Sequence, residues 1–90
     1  YLTAEEREIA PFLYACLNDV ATAILNNDRD YRRLEKEGLQ KLQEAGFHPD
    51  YFSICHAETL QSANAKDDSI VLLAAVTLGS CRLIDNLRIK

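Results

Sequence analysis

The sequence predicts an α+β domain: two N-terminal helices packed on a small antiparallel sheet of about three strands. Three observations carry this. The first half opens on a helix-start signal and places apolar residues at helical spacing. The second half holds a run, 69–77, that is apolar throughout and rich in β-branched residues. A glycine, Gly79, then separates that run from a second short stretch of strand character.

Thr3-Ala4-Glu5-Glu6 reads as a capping box, with Thr3 and Glu6 exchanging side-chain and backbone hydrogen bonds. Glu5, Glu6 and Glu8 suit the positive end of a helix dipole. Ile9, Leu13, Cys16, Leu17, Val20 and Ile24 then fall on one helical face. Pro11 lacks an N–H, so a kink or a short first turn is expected before a main helix to about Asn26. Residues 27–30 form a polar joint in which Asp28 or Asp30 caps the second helix. Its inner face carries Tyr31, Leu34, Gly38, Leu42 and Ala45. Gly46 terminates it in the left-handed conformation, Phe47 folds back on the last turn, and Pro49 prevents continuation.

Residues 51–57 alternate as a strand, with Phe52, Ile54 and His56 on one face and Tyr51, Ser53 and Cys55 on the other. A short helical turn over 57–60 and a polar loop over 61–68 follow. The run 69–77 is a central strand, with Ile70, Leu72, Ala74 and Val76 opposite Val71, Leu73 and Ala75. Residues 82–87 return as its partner. Two helices cover one sheet face. The second face is either left open for a neighbour or closed by small Ala75 and a folded-over loop.

Ninety residues make one domain, burying ~60–65% of the unfolded surface, enough for a modest core without staples. Nearly half the residues are apolar and only five are Gly or Pro, which excludes a disordered chain. A net charge of −4 argues against nucleic acid, which demands a basic face. Arg29, Arg32 and Arg33 cluster, but among Asp28, Asp30, Glu35 and Glu37, as on a solvated helix face. The longest apolar run, 70–78, is too short to span a bilayer, and no signal peptide precedes it. Cys16, Cys55 and Cys81 are odd in number, widely spaced and form no C-x-x-C pair, which reads as reduced, cytoplasmic usage. The chain has no methionine, even at position 1, so a piece of a longer polypeptide is expected.

Candidate chemistry is thin. Cys55 and His56 are adjacent but point to opposite faces of a strand, so they make a poor nucleophile–base pair. His48, Cys55 and His56 fit no common zinc spacing and lack a fourth ligand. Arg82, Asp85 and Asn86 read either as contacts to a neighbouring domain or ligand, or as a strand-end network with Arg82 paired to an acid. Tyr14, Tyr31 and Tyr51 read as core-edge residues, and Tyr1, Leu2 and Pro11 as residues fixing the path into the first helix.

Two segments carry a family resemblance. The opening Y-L-T-A-E-E-R-E-I-A-P-F-L-Y, residues 1–14, and the closing V-L-L-A-A-V-T-L-G-S-C-R-L-I-D-N, residues 71–86, resemble the start and end of the C-terminal domain of the pantothenate synthetase (pantoate–β-alanine ligase) family. A-G-F-H-P-D-Y-F, residues 45–52, and A-E-T-L, residues 57–60, fit in register, so the resemblance covers essentially the whole chain. The string L-G-x-x-R-L-I-D-N, residues 78–86, is its most specific part. Many members have Arg-Asp where this chain has Cys55-His56, so no salt bridge is carried over there.

The resemblance implies a parent ligase that condenses pantoate with β-alanine through a pantoyl-adenylate, using ATP and magnesium and releasing AMP and pyrophosphate. It implies that residues 1–90 are the C-terminal lid of that enzyme. The lid would close on a Rossmann-like N-terminal nucleotide-binding domain of the same polypeptide, in a parent that is a cytoplasmic homodimer. The serine-arginine loop that grips the phosphates lies just before the position of Tyr1. No catalytic, cofactor-binding or metal residue is therefore carried over onto this chain, and the fragment alone is expected to be inactive. Two other readings stand beside it: a free-standing α+β interaction module working through its open sheet face, and a hydrolase using Cys55.

Overall fold

In a computed structural model, which describes residues 2–64 and 66–89, the chain forms three helices and a three-stranded antiparallel sheet in strand order β1-β2-β3. The elements are α1 (Ala4–Ile9), α2 (Pro11–Leu25), α3 (Tyr31–Ala45), β1 (His48–His56), β2 (Ile70–Leu78) and β3 (Cys81–Arg88). The α+β architecture expected from the sequence is the one observed. α1 and α2 together make the first of the two expected helical segments.

The capping box forms at the expected place. Thr3 Oγ1 accepts from Glu6 N–H at 3.1 Å, and Thr3 N–H donates to Glu6 Oε1 at 2.8 Å. Pro11 begins α2 at a first-turn position, where its missing N–H costs nothing because that donor has no intrahelical partner. Ala10 keeps helical dihedrals, so α1 runs almost directly into α2. The combined 22-residue run, Ala4–Leu25, is long and apolar enough to cross a membrane by length and composition. Its inward face, Leu13, Cys16, Leu17, Val20, Ala21 and Ile24, packs in the core, as in an ordinary core helix.

α2 ends at Asn26, and Asn27 takes the left-handed conformation that releases the chain into the joint. Asp30 is the residue that caps α3, accepting from Arg33 N–H, while Asp28 accepts from Asp30 N–H and supports the cap. At the far end Gly46 has φ +107, and Phe47 N–H donates to Leu42 C=O at 3.0 Å as Phe47 folds into the core.

The core lies between the α2–α3 layer and one sheet face. Leu17, Ile24, Leu42, Ile54, Ile70, Leu72 and Val76 are fully buried there. Each such side chain contributes about 1.5–3 kcal/mol by leaving water. α3 crosses β1 closely at Gly38, where an added Cβ would lie 3.1 Å from the Phe52 ring.

Strand β1 begins at His48, earlier than the sequence pattern suggested, despite Pro49. β1 is an edge strand, where a missing N–H is tolerated, and the register slips between Pro49 and Tyr51. Residues 57–60 form one turn, closed by Leu60 N–H donating to His56 C=O, and Leu60 at φ +60 stops it from continuing as a helix. The following segment is not a free polar loop. It runs back along the outer edge of β1, with Ala63 N–H donating to Ile54 C=O and His56 N–H to Gln61 C=O. Ala63 is buried. This strip blunts an edge that would otherwise offer unpaired backbone groups.

Candidate functional site

Side chains directly opposite in an antiparallel ladder share a face. The register therefore assigns Phe52, Ala74 and Asp85 to the helix-covered face, with Ile54, Leu72 and Leu87 in the next row. The other face carries Tyr51, Ala75 and Ile84 in one row, then Ser53, Leu73 and Asn86, then Cys55, Val71 and Arg88. No helix packs on this second face among the described residues. The loop that the sequence offered as a cover lies instead beside the β1 edge.

The second face is not uniform. Cys55, Val71 and Ala75 are buried but stand outside the main core cluster, a small satellite of their own. Tyr51 and Ile84, which flank fully buried Ala75, remain 39% and 65% exposed. Sequence alternation foretold the apolar residues of β1 and β2 here. It did not single out Ile84, whose position on the open face follows only from its pairing with Ala75.

The specific string 78–86 splits across the sheet. Arg82 and Asn86 lie on the second face, Asp85 on the helix side. Arg82 Nε pairs with Asp50 Oδ2 at 3.2 Å, and Asp85 Oδ1 accepts from Asn86 N–H at 2.8 Å. Arg82 thus has the acidic partner anticipated for it, while Asp85 serves its own strand.

Cys55 and His56 fall on opposite faces, as alternation requires. His56 Nδ1 accepts from Glu58 N–H at 3.2 Å and so belongs to the turn. Burial pushes the Cys55 thiol pKa up, helped by the Glu35 carboxylate and opposed by Arg32. Burial does the same at Cys16, whose Sγ lies 3.8 Å from Gly38 C=O. A raised pKa leaves less thiolate near neutrality, the reverse of nucleophile activation. No group of three or more His, Cys, Asp or Glu side chains gathers for a metal among the described residues.

Of the tyrosines, Tyr31 is core, with its hydroxyl accepting from Arg29 Nη1, while Tyr14 and Tyr51 are exposed. Leu2 packs against the core edge; Tyr1 lies outside the described residues. A groove of about 110 Å³ between α2 and α3 is lined by Phe12, Ala15, Cys16, Asp19, Lys41 and Leu42, with Ala45. Ligand pockets run to roughly 300–1,000 Å³, so this groove is too small for a nucleotide.

One feature went unforeseen. Arg32 Nη2 donates to Ile54 C=O at 3.3 Å and to Ala63 C=O at 3.1 Å. Glu35 Oε2 accepts from Ile54 N–H at 2.7 Å, and Glu35 Oε1 pairs with Arg32 at 3.1 Å. This pair on α3 clamps the β1 edge and its covering strip. The i,i+3 spacing was visible in the sequence but reads as an ordinary surface pair.

The described residues form a scaffold with an exposed apolar patch and gather no metal-ligand group. Comparison with known proteins supplies the rest. A family model described as pantoate-beta-alanine ligase matches residues 1–88. The chain belongs to the pantoate–β-alanine ligase family. Its similarity to the pantothenate synthetase of Neisseria meningitidis serogroup B is 49% identity over 90 residues, covering 100% of this chain and 32% of that protein. For the pantothenate synthetase of Hahella chejuensis it is 45% over 89 residues, covering 99% and 31%. The crystal structure of pantothenate synthetase from Thermus thermophilus superposes with a TM-score of 0.87 at 29% identity, covering 99% of this chain and 32% of that one. The chain therefore spans about a third of the length of these ligase-family relatives, corresponding to their C-terminal part.

Proposed function

We propose that residues 1–90 are the C-terminal lid domain of a pantothenate synthetase. The observation that carries this is the match of the whole chain, in sequence and fold, to about a third of proteins that bear that name. In this reading the parent enzyme joins pantoate to β-alanine. The pantoate carboxylate attacks the α-phosphate of ATP, giving pantoyl-adenylate and pyrophosphate, and the amine of β-alanine then displaces AMP. ATP and magnesium belong to an N-terminal domain of the same polypeptide, and the parent works as a cytoplasmic homodimer.

The described residues do not fit a nucleotide or metal site. They gather no metal-ligand group, and the groove between α2 and α3 holds only about 110 Å³. No step of the reaction is assigned to a side chain of this chain. Its contribution is closure: a rigid sheet-and-helix body laid over a reactive acyl-adenylate excludes water and keeps the intermediate for the amine. The apolar open face, with Tyr51 and Ile84 exposed, supports that division of labour.

The test uses the complete polypeptide from the gene. AMP release that depends on both pantoate and β-alanine is expected from it, and none from residues 1–90 alone. Activity in the ninety-residue chain would sink the lid reading. So would a complete polypeptide that is inert with all three substrates; a free-standing interaction module would then be the better description.

A further inference from the structure

α1 has no fully buried residue, yet two of its side chains reach turns at one end of the sheet. His48 pairs with Thr77 and Leu78 with Cys81, so the α3–β1 turn and the β2–β3 turn lie at that same end. Each turn holds a glycine at positive φ, Gly46 at +107 and Gly79 at +61. A Cβ built on Gly46 would make ordinary contact with Ile9 Cδ1, at 3.9 Å. The approach at Gly79 is far closer. The three atoms nearest a Cβ built there are the carboxyl carbon and both carboxylate oxygens of Glu6, with Cδ only 2.6 Å away, an overlap. Glu6 is half-buried at this point, while Glu5 and Glu8 on the same helix are exposed. Glu6 Oε1 accepts from Thr3 N–H at 2.8 Å as half of the capping box, and Oε2 is the oxygen nearest Gly79. One carboxylate therefore closes the cap of α1 and rests on the hairpin turn, in a space that only a glycine at position 79 leaves free.

The matched third is the C-terminal part of the relatives, so in the lid reading the chain enters this domain through Leu2 and Thr3. Ala10 keeps helical dihedrals and joins α1 to α2, which leaves the capping box at Thr3 as the place where the entry direction is set. We propose that Glu6 and Gly79 are positioning residues for lid closure. The carboxylate, seated on the glycine, fixes the direction in which residues 2–3 enter the domain, and so the angle at which the lid meets the reaction centre. This rests on the lid reading and adds to it the contact that sets the lid's angle. Neither residue touches substrate in this account. A side chain at position 79 would push aside the free end of a flexible side chain, so the fold survives. What is lost is the acceptor for Thr3 N–H. The domain is 41 Å long, so a small change of entry angle at one end is magnified at the other. A misplacement of about 1 Å at reacting groups can cost on the order of 10²-fold in rate.

The test measures AMP and pantothenate formed by the complete polypeptide and its variants, with thermal unfolding followed on the same samples. Gly79→Asn sets a side chain against the carboxylate while keeping a residue that tolerates left-handed backbone. Glu6→Ala removes the carboxylate, and Glu6→Gln keeps an acceptor for the capping box. Gly79→Asn and Glu6→Ala are each expected to release several-fold more AMP per pantothenate than the parent. The double variant should be no worse than either single one, because both break the same contact. Glu6→Gln should stay close to the parent. If Gly79→Asn does not fold, the comparison of Glu6→Ala with Glu6→Gln carries the test. A folded Glu6→Ala or Gly79→Asn with the parent's product ratio would overturn the proposal, even if its unfolding temperature fell, since that is the mark of a purely structural role. Additive effects in the double variant, or a Glu6→Gln that behaves like Glu6→Ala, would overturn it too. Deleting the whole segment separates the two claims. If the shortened polypeptide keeps both rate and ratio, the lid reading itself fails. If it loses them while the folded point variants do not, only the positioning role of Glu6 and Gly79 fails.

Discussion

Replacing Gly38 by alanine sets two effects of known size against each other. In a helix interior this exchange ordinarily stabilises by about 1 kcal/mol, because glycine loses more backbone freedom on folding. At Gly38 the new Cβ would lie 3.1 Å from Cε1 and Cζ of Phe52 and 3.2 Å from its Cδ1. Ordinary contact begins some tenths of an ångström further out, so the ring or the helix must move. Phe52 is only 3% exposed and sits in β1 opposite Ala74, so its ring has no free path to solvent. Adding a methyl group to a packed core costs about 1–3 kcal/mol. Gly38→Ala is therefore expected to destabilise the chain by up to about 2 kcal/mol net, the difference between those two figures. Urea denaturation with an unchanged m-value reads this directly. Phe52→Leu removes the offending ring atoms. In that background Gly38→Ala should recover its helical benefit and stabilise by about 1 kcal/mol, a coupling visible in the double-mutant cycle. A Gly38→Ala variant more stable than the parent with Phe52 intact would refute the claim that α3 and β1 meet at a glycine-only contact.

Other expectations follow from the clamp, the thiols and the α3 cap. Glu35→Ala removes the acceptor of Ile54 N–H and should cost about 1.5–3 kcal/mol, as for a hydrogen bond to a charged group, with faster amide exchange at Ile54 and Ala63. Cys16 and Cys55 should react slowly with iodoacetamide near neutral pH and Cys81, only partly buried, faster; rapid labelling of Cys55 would revive the hydrolase reading. Because folding raises the pKa of both buried thiols, their protonated forms favour the native state. That contribution is complete below the ordinary thiol value of 9.0 and is lost as pH rises through the folded values, so stability should fall on the alkaline side and less steeply in Cys16→Ala. Asp28 moves the other way. The hydrogen bond from Arg33 holds its carboxyl below 3.8, so its contribution is present above that value and disappears as pH falls through the lowered one. Asp28→Asn should flatten the acid limb slightly at low salt and leave neutral stability nearly unchanged, since the pair is exposed.

Local signals in the sequence resolved most of the fold, because the chemistry that marks each element is contained in a few neighbouring residues. Thr3 and Glu6 define the start of α1, Gly46 ends α3, and the β-branched run defines β2. What escaped depended on residues far apart in the chain. Pro49 reads as a break until β1 is known to be an edge strand, where a proline is admissible. The segment after Leu60 reads as a polar loop, because the carbonyl of Ile54 and the side chain of Arg32 that hold it lie far from it in sequence. The open face was half legible. Alternation marked Val71, Leu73 and Ala75, but the exposure of Ile84 beside Ala75 needs the register of the hairpin. Function was the least legible from composition and spacing. Cys55 and His56 look reactive side by side, yet the strand turns them apart. The family was readable only through the length of its shared strings.

The lid claim is tested most directly by the ratio of pantothenate to AMP produced by the complete polypeptide and by a version ending before the segment that matches this chain. With the segment present, closure should keep the acyl-adenylate for β-alanine, giving one pantothenate for each AMP. Without it, the expected outcome is AMP in excess of pantothenate, as water consumes the intermediate, or loss of turnover altogether. A shortened polypeptide that retained both the rate and the one-to-one ratio would contradict the assignment of these ninety residues as the lid.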